Sequence, residues 1–224
     1  MKRCISIIAV CILAFALFSC EGVSEVSEPD NSLDSGEKSR AWHFYNGLDT
    51  EKMFITFETT TEDGTEAKFA QAIHGENVTT IIHYINNEEA NDLYELFTPE
   101  LTYQLDIAGK KYSAANEKGT GNLFADMNKA VYERANDVSD KELDGVTYIT
   151  ESFGTENDTT VFYFYSETEE LFAIESIKNG ESIQIMRNIK VTSIIPNDVV
   201  LELPDDFTAT TVTINADIEW PAGW

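Results

Sequence analysis

The sequence predicts an α+β domain, an antiparallel sheet of about eight to eleven strands accompanied by a few helices. Three observations predict it. Beyond residue 50 the chain is a series of short alternating or β-rich runs separated by turn signals. Several runs are apolar on one side and polar on the other, as an antiparallel sheet with one dry and one wet face allows. Other stretches space their apolar residues three and four apart, which is the period of a helix. A sheet of that many strands in one domain curls to close its edges or is covered.

The chain opens on Lys2 and Arg3, followed by residues 4–18, apolar except for Ser6. About 20 apolar residues are needed to span a bilayer, so this run is short for an anchor. Its basic start, apolar middle and small Ser19 describe a secretory signal peptide. Leu17-Phe18-Ser19-Cys20 resembles the bacterial lipobox, whose cysteine thiol is diacylated before the chain is cut just ahead of it. Residues 1–19 are read as a lipoprotein signal peptide and Cys20 as the lipid attachment site. The alternatives are an uncleaved membrane anchor and ordinary secretion with a free Cys20. The other two cysteines, Cys4 and Cys11, lie inside the removed segment, so the mature chain has no cysteine pair to oxidise.

Residues 20–38 are rich in Ser, Glu and Asp and carry Val23, Val26 and Leu33 as their only apolar residues after the cysteine. Such a stretch buries too little to offset ordering entropy and reads as an acidic, disordered tether, with a reach of roughly 20–25 Å. The formal charge of the chain is −25, and losing Lys2 and Arg3 with the signal takes it to −27. That charge speaks against nucleic acid, whose binding depends on Lys and Arg neutralising phosphates.

One domain is expected from residue 39 to 211, with a tail over 212–224. In "EKSRAWHFYNGL" the spacing of Ala41, Phe44, Tyr45 and Leu48 predicts a short helix. "MFITFETTTEDGTEAKFAQAIHG" predicts a hairpin about Asp63-Gly64. "NVTTIIHYI" is β-rich, and "EEANDLYELF" has helical spacing but also reads as a strand. "LTYQLDI" alternates Leu101, Tyr103, Leu105 and Ile107 against Thr102, Gln104 and Asp106. "GNLFADMNKAVYERA" carries a helical stripe with Asn122 as N-cap. "GVTYITESF", "TVFYFYSE" and "ELFAIESI" follow as strands, the second apolar on both sides. In "SIQIMRNIKVTSII", Ile183, Ile185, Ile189, Val191 and Ile195 share the dry side.

The last third resembles the LolA/LppX-like lipoprotein carriers and lipid-binding lipoproteins. The likeness lies in the order of "GVTYITESF", the aromatic "VFYFYSE", "ELFAIESI" and a closing "IKVTSIIPNDVVLELPDDF". Pro196, Asp198, Val200, Leu203, Pro204 and Phe207 stand near the places of that family's closing pattern, P-x-D-x-F-x-L-P-x-x-Y. About 70 residues match well, the earlier half only in the order of its elements. The resemblance implies a curved antiparallel half-barrel covered by a few helices, with an apolar cavity for acyl chains between sheet and helices. Tyr84, Phe162, Phe164 and Phe172 are then candidates to line the cavity; filling a core is the alternative for each. The carriers are soluble shuttles, whereas this chain reads as tethered, and no ligand-binding residue is carried over from them.

Catalytic signals are missing. His43, His74 and His83 show no H-E-x-x-H or H-x-x-x-H spacing, and no G-x-S-x-G, S-x-x-K or phosphate-cradling glycine loop occurs. His74 and His83 fall on neighbouring predicted strands, where they are able to pair. No metal, cofactor or enzymatic activity is expected. The expected function is a monomeric, membrane-tethered extracytoplasmic lipoprotein binding a lipid or an acylated molecule. The alternative is a non-catalytic envelope interaction or sensor domain with no ligand cavity.

Overall fold

The computed structural model describes residues 37–61, 64–86, 89–115, 121–125, 128–212, 214 and 220, without the side chains of 61, 84–86 and 89–91. The signal peptide, Cys20 and almost all of the tether therefore lie outside the described residues. So does Trp224.

Strands dominate. They are β1 (Lys52–Thr61), β2 (Glu66–His74), β3 (Asn77–Asn86), β4 (Glu89–Phe97), β5 (Thr102–Asp106) and β6 (Lys111–Ala115), followed by β7 (Asp137–Leu143), β8 (Val146–Thr155), β9 (Asp158–Tyr165), β10 (Leu171–Lys178), β11 (Glu181–Thr192) and β12 (Thr208–Ala209). Their hydrogen-bonded order is β12-β6-β5-β4-β3-β2-β1-β11-β10-β9-β8-β7, an open sheet that is antiparallel apart from the two-residue β12 beside β6. One α-helix, α1 (Arg40–Gly47), and a 3-10 turn (Lys129–Tyr132) are the helical elements among the described residues. The expected half-barrel under a few helices is thus overturned: the described residues build a twelve-stranded open sheet with one α-helix among them.

The reason lies in two segments. The apolar stripe of residues 121–135 predicts a helix, yet the described residues of this stretch, 121–125 and 128–135, form turns, bends and the short 3-10 element. Asn122 spends its side chain on the Thr50 carbonyl at 3.2 Å, and the Asn128 carboxamide caps the 3-10 turn by accepting from Ala130 N at 3.2 Å. Asn and Asp compete for backbone groups in this way and so disfavour helix interiors. "EEANDLYELF" resolves as β4, paired with β3 over its whole length.

The chain packs as two units, and β11 contributes its first half to one and its second half to the other. The first unit holds α1, the 3-10 turn and β7 to β10. Two of its turns are written in the sequence: Asp144-Gly145 and Asn179-Gly180 all have φ between 53° and 83°, as a tight hairpin turn with two left-handed residues requires. The end strand β7 carries Asp137, Asp140, Lys141 and Glu142, charges that discourage further strand pairing.

Helix α1 docks through its N-terminus. Ser39 caps it, accepting from Trp42 N at 2.9 Å. Glu151 of β8, fully buried, accepts from the Arg40 and Ala41 backbone N–H groups, each at 3.0 Å. The Arg40 guanidinium stands 3.4 Å from the same carboxylate. A carboxylate thus satisfies donors that a first helical turn leaves open, with the favourable sign for the helix dipole. Tyr45 on the buried side of α1 meets Tyr132 at 4.9 Å and Phe162 edge-on at 5.8 Å.

The second unit holds β1 to β6, the rest of β11 and the chain beyond it. Phe54, Ala70, Ala72, Ile81, Tyr94, Leu96 and Leu105 form a core on one face of its sheet. What covers them is irregular chain with two turns: Ile195, Val199, Val200, Leu201, Leu203 and Phe207, with Trp220 of the tail. The strap is fastened by polar bonds. Val200 N donates to the Tyr94 hydroxyl at 2.8 Å, Asn77 Nδ2 donates to the Leu201 carbonyl at 3.0 Å, and Thr79 donates to the Val200 carbonyl. Lys110 and Asp206 pair at 2.6 Å on the surface. Pro196 and Pro204 have no N–H to give a sheet ladder, which fits a cover without strand pairing.

Candidate functional site

The aromatic residues expected to line a cavity are placed by β9 and its neighbours. Phe162 is 0% and Phe164 1% exposed. Phe162 contacts Tyr45, Tyr132 and Phe153 edge-on at 5.8, 5.3 and 5.4 Å. Rings spaced like this fill volume and have the offset geometry of a packed core. Phe172 lies half-buried on the opposite face of the same strands, stacked on Tyr148 at 4.7 Å. There Tyr148, Val161, Tyr163 and Ala173 form a second small core, and the Tyr163 hydroxyl donates to Glu175 at 2.5 Å. The side chain of Tyr84 lies outside the described residues. The apolar character of β9 on both faces therefore reflects two cores.

Sequence reasoning missed a polar row inside the second unit. Pairing registers place Ile55, Gln71, Thr80, Glu95, Gln104 and Ser113 on one rung across β1 to β6. Gln71, Thr80 and Glu95 are buried, so the side of β5 that alternation marked as wet is partly enclosed. Gln71 Nε2 donates to Thr80 Oγ1 at 3.0 Å and to the Gly121 carbonyl at 2.9 Å. Gly121 has φ 58°, and a Cβ there would come within 2.4 Å of the Phe97 ring, so only glycine brings that carbonyl so close. Gln104 Nε2 donates to Glu95 Oε1 at 3.2 Å. Burial pushes the Glu95 carboxyl above its ordinary pKa, and the Gln104 hydrogen bond pulls it partly back.

Glu95 therefore holds its proton more tightly folded than unfolded, so its share of stability declines as pH rises through the window above 4.5. Glu95→Gln is expected to melt a few degrees higher than the parent at pH 7. The gap should close at pH 4, where the parent carboxyl is protonated too. Thermal melts of both proteins across that range check this.

A polar groove opens elsewhere in the second unit. It measures about 420 Å³ and is lined by Glu58, Thr59, Thr60, Glu66, Ala67, Lys68, His83 and Arg187. Registers align Glu58, Lys68, His83 and Asp92 on one rung of β1 to β4. His83 Nδ1 and Asp92 Oδ1 are 2.5 Å apart. Asn188 donates to Glu58 Oε2 at 2.8 Å, while Lys68 Nζ stands 3.8 Å from Glu58 Oε1. Asn188 has φ 54° in the middle of β11, a left-handed conformation that asparagine tolerates. The predicted alternation of β11 fails ahead of this break as well: Gln184 and Met186 are buried along with Ile185, and Val191 beyond it is exposed. His74 pairs with Asn77 at the far end of β2 from His83, so the two histidines do not meet.

Among the described residues no group of three His, Asp or Glu side chains is placed to hold a metal ion, and no helix is long and apolar enough to cross a membrane. No protein-family model matches the chain, nor does any curated protein sequence. Among solved structures it is similar to an uncharacterized conserved protein from Thermus thermophilus, with a TM-score of 0.39 and 5% identity over 71% of this chain and 90% of that one. It is similar also to PNGF-II, with a TM-score of 0.26 and 7% identity over 71% of this chain and 31% of that one. Likenesses this distant carry no argument about fold or activity.

Proposed function

We propose that the protein is a lipid-anchored, extracytoplasmic, non-catalytic binding module, a monomer held at the cell membrane by diacylated Cys20 and its acidic tether. Its binding face is the polar groove of the second unit. The observation that carries this reading is how the aromatic residues are used. Phe162 and Phe164, the candidates for an apolar lining, are spent on core packing, whereas the groove of about 420 Å³ is lined by charged and hydroxyl side chains. Small-molecule sites fall in this size range. The lipobox-like Leu17 to Cys20 and the likeness of the closing segment to LolA/LppX-like lipoproteins support the envelope location.

Cys20→Ala tests the anchor. The variant is expected to lose metabolic palmitate labelling and to leave the membrane fraction or accumulate as an uncleaved precursor, because stable attachment needs the acyl chains. Unchanged labelling and fractionation would overturn the lipoprotein reading.

A further inference from the structure

Helix α1 and the 3-10 turn pack on one side of the first unit's strands, where their Tyr45 and Tyr132 meet Phe153 and Phe162. The other side has no such layer among the described residues. There Tyr148, Val161, Tyr163 and Ala173 are packed only by Leu143, Phe172 and Ile177, which come from the same strands. Rings gather on this side. Tyr148 stacks on Phe172 at 4.7 Å, and Tyr165 meets each of them at 5.4 Å. Tyr163 stands edge-on to Tyr148 at 6.2 Å. Tyr165 is 39% and Val146 46% exposed. An exposed apolar group with a polar rim marks an interaction surface.

The charges around the rings decide what that surface accepts. Glu175 is half-buried, accepts from the Tyr163 hydroxyl at 2.5 Å and has no Lys or Arg partner among the described residues. A carboxylate partly withdrawn from water and held by a neutral donor keeps a charge that a cation satisfies. Burial, then Tyr165 and Asp144 nearby, raise the Tyr148 hydroxyl above its ordinary pKa, so Asp144 brings a second negative charge to the rings. On the same side of β7, Lys141 is the register partner of Tyr148, and Asp137 lies four residues from it. One base thus stands against three acids. Aromatic faces add negative potential of their own.

We propose that this sheet face docks an arginine-bearing segment of a protein partner. A guanidinium stacks on the exposed Tyr165 and Phe172 rings, and a further basic group of the same segment meets Glu175. Arginine suits the face better than lysine because its planar, weakly hydrated head lies flat on a ring, whereas an ammonium stays hydrated. The same carboxylates disfavour acidic polymers and anionic lipid. This surface belongs to the first unit and is independent of the groove, so either can fail alone.

Fluorescence anisotropy of the full-length chain in non-ionic detergent, with labelled tetra-arginine and tetra-lysine peptides, tests it. The two peptides carry equal charge, so the acidity of the whole chain attracts both alike, and the rings make the difference. Tetra-arginine should bind about 5-fold tighter than tetra-lysine, the scale of a ring–cation contact at an exposed site. Tyr165→Ala should bring the two to parity, while Tyr165→Phe, which keeps a ring, should retain the preference. Glu175→Gln should weaken tetra-arginine several-fold. Glu156→Gln, the same loss of charge at the exposed turn between β8 and β9, should not. Melting curves of the variants confirm that the fold is kept. Equal affinities of the parent chain for the two peptides overturn the proposal. So does a preference that Tyr165→Ala leaves intact, or equal effects of Glu175→Gln and Glu156→Gln. Saturable binding of cellotriose, or self-association of the chain, that Tyr165→Ala abolishes would assign the rings to a sugar or to a second copy, and overturns it too.

Discussion

Phe162→Ala is expected to cost about 3–5 kcal/mol, a large share of the roughly 5–15 kcal/mol that holds a typical domain folded. The ring is wholly buried, and it touches Tyr45 of α1, Tyr132 of the 3-10 turn and Phe153 of β8. Deleting it removes the shared contact of three elements and leaves a void that stiff aromatic neighbours cannot fill. Tyr165→Ala, on the same strand but 39% exposed, should cost under about 1 kcal/mol, as surface changes do. Denaturant melts of the two variants give the comparison. Equal small losses at both positions would mean that Phe162 borders open space.

Glu151→Ala is expected to cost a similar amount, about 3–5 kcal/mol, for an electrostatic reason. The carboxylate is the acceptor for two backbone N–H groups at the start of α1 and stands beside the Arg40 guanidinium. Its removal strands those donors in the interior and loosens the helix that carries Tyr45 into the aromatic core. Glu151→Gln, which keeps one acceptor, should recover part of the loss. Arg40→Ala should cost much less, because Arg40 is partly exposed and also pairs with exposed Glu169 at 2.9 Å. Chemical denaturation of the three variants checks the order.

Local signals were legible in the sequence where they act within a few residues. The spacing of Ala41 and Tyr45 marked the buried side of α1, and Asp63-Gly64 marked the hairpin that joins β1 to β2. The two-sided apolar run of β9 correctly implied packing on both faces. What failed depended on partners far along the chain. Alternation assigned Thr102 and Gln104 to a wet face, because residue type alone does not reveal that Gln71, Thr80 and Glu95 arrive on the same rung. The stripe in residues 121–135 looked helical from the spacing of Leu123, Phe124, Met127, Ala130 and Val131, yet Phe124 is buried from a turn and Tyr132 from the 3-10 element. The groove was illegible for the same reason: Lys68 and His83 are fifteen residues apart and meet only through the register of β2 and β3.

The central claim is that the interior of this protein is filled by its own side chains and that binding belongs to the polar groove. Native mass spectrometry of the full-length chain, combined with solvent extraction of non-covalent lipid after detergent exchange, tests it most directly. The account predicts a chain carrying only its covalent acyl groups, with no further lipid in stoichiometric amount. One extractable lipid per chain that survives detergent exchange would contradict it, and would restore an apolar cavity as the binding site.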